Sequence, residues 1–299
     1  MLKGFGRRLL GALGIATATG AAIAPQAAEA RNAPALWSVS DADTTVYLFG
    51  TIHLLPDNYK WRSPALDKAV NGSQELVVET LIDDKNPQAL AMTLMQMALA
   101  NGLPPIDQRV PPSKRAALDA AIAKSGIPKA ALDRMKTWAA AFMLLGVQFR
   151  DMGLKTGEGV EPKLKESFTT EGKPIGQLET NAEQFGFFDA LPEKAQAALL
   201  EGSIDSPKQS SDQFKAMLTA WQHGDVEAIA RSFNHDLSAS PELRDALLNK
   251  RNANWKAWIE KRMEQPGAIM IAVGAGHLAG KGSVVDLLQR DGLRVRRIQ

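Results

Sequence analysis

The chain has 299 residues, with 35 Lys and Arg against 33 Asp and Glu, four His and no Cys. Without cysteine there is no disulfide framework, no thiolate metal site and no cysteine nucleophile. A charge balance this close to neutral excludes the basic footprint of a nucleic-acid binder.

The first thirty residues read as a signal peptide. Lys3, Arg7 and Arg8 make a positive n-region, residues 9–24 are small and apolar, and Ala28-Glu29-Ala30 is an Ala-x-Ala cleavage site. Removing it takes away three basic residues and one acidic residue and leaves 32 of each, so the basic excess belongs to the leader. The expected product is a single domain over 31–299, exported and periplasmic. No later apolar run approaches the roughly 20 residues of a membrane span, so no transmembrane segment is expected after signal cleavage.

Five segments then read as strands: 44–49, 75–78, 174–178, 268–273 and 293–298. The fourth is a continuous apolar run, as in a strand covered on both faces. The last alternates Val295 and Ile298 with arginines, which suits an edge strand. Helices are expected over 65–70, behind Ser63-Pro64 as N-cap and first position, and over 87–100, 112–124, 128–149, 181–200, 211–223, 226–233, 241–263 and 283–290. Segments 153–159 and 202–211 read as loops. The fold class is α/β with mixed α+β character. A central mixed sheet is built from N- and C-terminal strand segments, flanked by helices, with a largely helical middle insertion.

One signature occurs twice. Gly50-Thr51-Ile52-His53-Leu54 and Gly274-Ala275-Gly276-His277-Leu278 both follow a short apolar run. Chance gives roughly 0.3 Gly-x-x-His matches in a chain of this composition. Two matches at two strand ends point both imidazoles at one place, as metal ligands or as general acid and base. Glu79 ends the strand after the first motif, and the βαβ unit between them allows the two strands to be neighbours. Glu179-Thr180 repeats Glu79-Thr80 at a fourth strand end. A carboxylate placed after Leu-Val-Val is costly to bury unless paired or bound to a cation. Imidazole with carboxylate suits Zn, Mn, Fe or Co. Glycine ahead of each histidine frees the backbone for close approach, and Gly274-Ala275-Gly276 offers backbone N–H groups to an oxyanion.

Blander readings compete. Glu79 could cap a helix or pair with a cation, and Glu179 could open the next helix. His223 sits at a helix end, where the dipole favours an imidazolium, and His235 lies in an apparent loop. Met92, Met95 and Met97 read as core or groove lining. Trp255 and Trp258 read as core, and Arg251 as a possible anion clamp.

The two Gly-x-x-His motifs, Val78-Glu79, Gly159-Val160-Glu161, Leu178-Glu179-Thr180 and Arg251-Asn252 together resemble the TraB/GumN family, which is related to the Tiki proteins and, more distantly, to erythromycin-esterase-like proteins. The resemblance implies a mixed α/β fold with both histidines in one cleft. It carries His53, Glu79 and His277 over as the core of the site, with Glu161, Glu179, Arg251 and Asn252 beside them. Tiki members are described as divalent-metal-dependent proteases. The expected function is therefore a periplasmic metal-dependent hydrolase of a peptide or amide bond, with a peptide or small-molecule substrate. His53, His277, Glu79 and Glu161 would hold Mn, Co or Zn, and Glu79, Glu179, Arg251 and Asn252 would assist catalysis. The alternatives are a metal-independent, esterase-like hydrolase in which a histidine is the base, and a non-catalytic haem- or peptide-binding protein using the same cleft.

Overall fold

A computed structural model describes residues 33–81, 87–154, 159–204, 207–237 and 240–299. The expected signal peptide lies outside them. Six strands, β1 (Leu36–Ser40), β2 (Thr44–Thr51), β3 (Leu76–Val78), β4 (Ile175–Gln177), β5 (Gly267–Gly274) and β6 (Val295–Arg297), form one mixed sheet. Their order is β4-β3-β5-β2-β1-β6. The first four in that order run parallel, while β1 is antiparallel to both β2 and β6.

The alternation along β5 explains its central place. Ile269, Ile271 and Val273 pack on one face with Val46, Leu48 and Val77; Met270 and Ala272 pack on the other with Phe49, Leu76 and Val78. A strand apolar at both parities is stable only when covered on both sides. It therefore sits between β2 and β3, which are not neighbours as the βαβ reading allowed. Glu79 consequently ends up beside Gly274 of the second motif instead of beside His53.

Thirteen α-helices cover and extend this sheet among the described residues. In chain order they are α1 (Pro64–Gly72), α2 (Pro87–Ala98), α3 (Arg115–Ser125), α4 (Lys129–Asp133), α5 (Thr137–Asp151), α6 (Val160–Thr170), α7 (Asn181–Asp189), α8 (Glu193–Gly202), α9 (Pro207–Gln222), α10 (Val226–Asp236), α11 (Pro241–Arg244), α12 (Lys250–Met263) and α13 (Val284–Arg290). Leu66, Leu164, Trp221 and Ile229 bring α1, α6, α9 and α10 to one face. Trp255, Ile259, Val284 and Leu288 bring α12 and α13 to the other. The middle helices build their own cores, one of them around Leu118, Leu132, Leu144 and Leu200.

Ser63 caps α1 as expected, its hydroxyl accepting the Leu66 N–H at 3.1 Å. Several boundaries differ from the sequence expectation. The helix expected over 128–149 breaks at Arg134–Lys136, because that segment bonds to the end of α2 (Lys136 N–H to the Ala98 carbonyl, 2.7 Å). The buried Arg109 guanidinium also takes the carbonyls of Asp133 and Met135 that a continuing helix would use. The helix expected over 181–200 breaks ahead of α8, whose N-cap is Pro192. Strand β1 and helix α6 are additions. Residues 202–211 are not all loop, since α9 starts at Pro207, and α10 runs through position 235. Of the Met-rich stretch, Met97 packs near Trp138, whereas Met92 and Met95 are exposed.

Candidate active site at the carboxyl ends of the parallel strands

The two glycine–histidine motifs leave adjacent parallel strands at the same level: Gly50 is opposite Val273, and Thr51 opposite Gly274. A Cβ on Gly50 would stand 3.0 Å from the Ala275 Cα, so only glycine lets the chain leaving β5 cross so closely. The N–H of Gly274 donates to Glu79 Oε1 at 2.7 Å, so it is occupied by that carboxylate rather than offered to an oxyanion.

Arg251 is the centre of the buried half of the site. It lies in the first turn of α12, directly after a π turn at Asp245–Asn249. Its Nη2 donates to Glu79 Oε2 at 2.6 Å and also to Glu179, and its Nε donates to Glu179 Oε1 at 2.9 Å. All three side chains are less than a tenth exposed. Trp255, one turn further on, lies under both the guanidinium (4.6 Å) and the His277 ring (4.4 Å). Its buried indole N–H favours the charged form of Glu179, without reaching full hydrogen-bond geometry to any described residue. Gln184 of α7 bridges the two acids, donating to Glu79 at 3.1 Å and Glu179 at 3.3 Å. Thr180 and Glu183 form the capping box of α7, which leaves the Glu179 side chain for Arg251.

His277 has both ring nitrogens engaged. Nε2 faces Arg251 Nη1 at 3.1 Å and Nδ1 faces Asn252 Oδ1 at 2.7 Å. A guanidinium can only donate, so Nε2 accepts and Nδ1–H donates to the amide oxygen. Asn252 is held in that orientation by donating to the Gly282 carbonyl at 2.8 Å. Burial first, and then the neighbouring Arg251 and His53 charges, push the His277 pKa down to about 3 against the pull of Glu79, so the ring is neutral at neutral pH. Burial works against the charge of Glu79, but His277, Arg251, His53 and the Gly274 N–H outweigh it and hold its pKa at about 2. With His277 itself neutral above about pH 3, Arg251 is the main cation acting on Glu79 there. Burial raises Glu179, with Arg251 opposing.

The second half of the site is more open. His53 is 70% exposed, and its Nδ1 lies 2.7 Å from Glu161 Oε1, a carboxylate only 15% exposed. Thr51 donates to the same oxygen at 2.5 Å. Glu161 stands in the first turn of α6, whose start is locked to β2 by the Val160 N–H on the Ile52 carbonyl (3.1 Å). A Cβ on Gly159 would fall 2.1 Å from the His53 carbonyl oxygen, so the Gly-Val-Glu segment requires its glycine. Desolvation opposes protonation of His53, but the ring is largely open to water, and the bond and charge of Glu161 lift its pKa to about 9. Glu161 is correspondingly lowered, against its own burial, by that pairing.

The predicted residues thus fall into two clusters. Glu79, Glu179, Arg251, Asn252 and His277 share one hydrogen-bonded network, and His53 and Glu161 form a separate pair that acts on it electrostatically. His223 bonds to the Thr219 carbonyl at the end of α9 and takes no part in either; the His235 side chain lies outside what is described. Thr51, Gln184 and the stacking role of Trp255 were missed. The signals were faint: Thr51 lies inside the first motif, Gln184 is five residues beyond Glu179, and Trp255 is one helical turn beyond Arg251. Among the described residues, no group of three or more His, Asp or Glu side chains converges as a metal site.

A cleft of about 340 Å³ opens beside His53. A larger groove of about 780 Å³, near Trp61 and Lys163, contains none of these residues.

The profile of the TraB/PrgY/gumN family matches residues 35–297. YbaP of Escherichia coli (strain K12), described as an uncharacterized protein, is 22% identical over 247 residues, covering 81% of this chain and 87% of YbaP. YbaP of Shigella flexneri matches to the same extent, 22% over 247 residues. No solved structure matches the chain.

Proposed function

We propose, for a chain that belongs to the TraB/PrgY/gumN family, that the strand-end cluster is the active site of an exported, periplasmic hydrolase that cleaves a peptide or amide bond. The observation that carries this is the His53–Glu161 pair. An exposed imidazole that lines an apolar cleft is bonded at 2.7 Å to a buried carboxylate behind it. Such a pair contains both partners that hydrolysis needs. Water attacks the carbonyl carbon as Glu161 takes its proton. The C–N bond breaks as the imidazolium of His53 gives its proton to the departing nitrogen. The proton on Glu161 is then released to water and His53 Nε2 takes one up from water, restoring the pair. Glu161 is held below the usual carboxylate range and is a weak base, so the rate depends mainly on positioning. Arg251, whose pKa is raised by its carboxylates despite burial, orders Glu79, Glu179 and His277 and takes no part in these steps, because the two acids neutralise its charge.

A divalent cation (Mn, Co or Zn) held by His53, His277, Glu79 and Glu161 is the second reading. Three carboxylates set against two cations, Arg251 and protonated His53, favour it. As arranged, the residues do not fit such an ion. Arg251 lies between Glu79 and Glu179, and His277 has no free ring nitrogen. The steps above therefore use no metal.

Hydrolysis of capped peptides by the mature chain, followed by mass spectrometry with metal content measured in parallel, tests both readings. His53→Gln and Glu161→Gln are expected to lose roughly 10²–10⁴-fold in rate, with activity retained in chelator. Stoichiometric metal lost together with activity in His53→Gln would transfer the chemistry to the second reading. Peptide or haem bound without turnover would make the cleft a binding site only.

A further inference from the structure

The cleft beside His53 is lined by a stripe of α5 that belongs to none of the cores, facing α9 residues that also pack on the main core. Leu145, Gln148, Phe149 and Met152 are spaced i, i+3, i+4 and i+7 along α5 and the residue after it, and all four line the cleft. Phe214 and Met217 of α9 line it too. One step round α5, Leu144 and Val147 are buried at 1% and 7% exposure, whereas Leu145, Phe149 and Met152 stay half-buried. A helix with one apolar stripe packed and a second left open towards a candidate catalytic imidazole has a surface suited to an apolar ligand. The remaining wall is Ile52 to Leu54, so the His53 ring is part of the lining. Gln213 and Ser232 add polar groups suited to a peptide backbone.

Size narrows the occupant. About 340 Å³ lies at the small end of ligand sites and accommodates one large side chain, and Gln213 and Ser232 in the lining suit a peptide backbone better than the hydrocarbon of an acyl chain. We propose that this cleft is the specificity pocket, seating a single large apolar side chain (Phe, Leu or Met) of a peptide beside the bond presented to His53. The word specificity rests on the hydrolase reading; the binding does not.

The test is isothermal titration of two capped tripeptides, acetyl-Ala-Phe-Ala-amide and acetyl-Ala-Ser-Ala-amide, into the Glu161→Gln mature chain, where the peptide is not consumed. The Phe peptide is expected to bind roughly tenfold or more tightly than the Ser peptide. Met217→Trp and Leu145→Trp, added singly from opposite walls, should each abolish that preference while circular dichroism still shows cooperative unfolding. Equal affinity for the two peptides, or a preference surviving in both folded Trp variants, overturns the proposal. If the preference is present but the parent chain never cleaves the Phe peptide, the pocket stands and the hydrolase reading falls. Cleavage without preference gives the reverse.

Discussion

Replacing Arg251 with Met removes the only cation inside the buried network. The guanidinium makes contacts of 2.6 and 2.9 Å to Glu79 and Glu179 and faces His277 at 3.1 Å. At an effective dielectric near 20, each unit-charge contact at about 4 Å is worth about 4 kcal/mol. Much of that is offset by the desolvation of three groups less than a tenth exposed. Deleting one partner, however, leaves two carboxylates buried without a counter-charge, at a cost of about 3–5 kcal/mol. The pH dependence should invert as well. In the parent chain, Glu79 is held at about 2 and His277 at about 3. Both groups bind protons more weakly folded than unfolded, so stability falls as pH drops, from about 6.5 for His277 and about 4.5 for Glu79. In Arg251→Met the orphaned carboxylates bind protons more tightly folded than unfolded, so part of the lost stability returns as pH falls. Urea unfolding at pH 7.5 and pH 5 measures both effects. Adding Glu79→Gln and Glu179→Gln should recover most of the loss at pH 7.5. A loss under about 1 kcal/mol, or the same loss at both pH values, would refute the reasoning.

The His53 imidazole should titrate by NMR near 9 and move back towards 6.5 in Glu161→Gln; its pairing stabilises the fold fully below about 6.5 and is lost as pH rises through about 9. An unshifted His53 in the parent chain would contradict the pair. Nitrogen-15 NMR at pH 7 should find His277 neutral with its proton on Nδ1. Asn252→Leu should leave the proton there, where Arg251 keeps it, but strand that buried donor and lower the melting temperature. An imidazolium signal at pH 7 would count against the bonding to Arg251. Gly159→Ala forces a Cβ to 2.1 Å from the His53 carbonyl, so α6 must shift. The expected result is loss of peptide cleavage with only a modest fall in melting temperature, and unchanged cleavage would show that α6 does not position Glu161.

What could be read beforehand followed the range of the interaction. The paired Gly-x-x-His motifs and the strands before them are local patterns, and they lead to the correct end of the sheet. The carboxylates at 79 and 179 were visible because acids directly after apolar strands are costly. The placement of β5 between β2 and β3 was not legible, because parallel strand order is decided by packing between segments some two hundred residues apart. The break before α5 depends on Arg109, and the split of the site into two clusters depends on Arg251 entering from α12 between two acids. Neither leaves a trace in periodicity. Asn252 gained its role only once the His277 ring was seen facing it.

The most direct test is cleavage of the acetyl-Ala-Phe-Ala-amide peptide by residues 31–299, with His53→Gln and Glu161→Gln alongside, in the presence of chelator. The account predicts turnover by the parent chain and a drop of roughly 10²-fold or more in each variant. Turnover that persists in both variants, or that disappears when chelator is added to the parent chain, would contradict it.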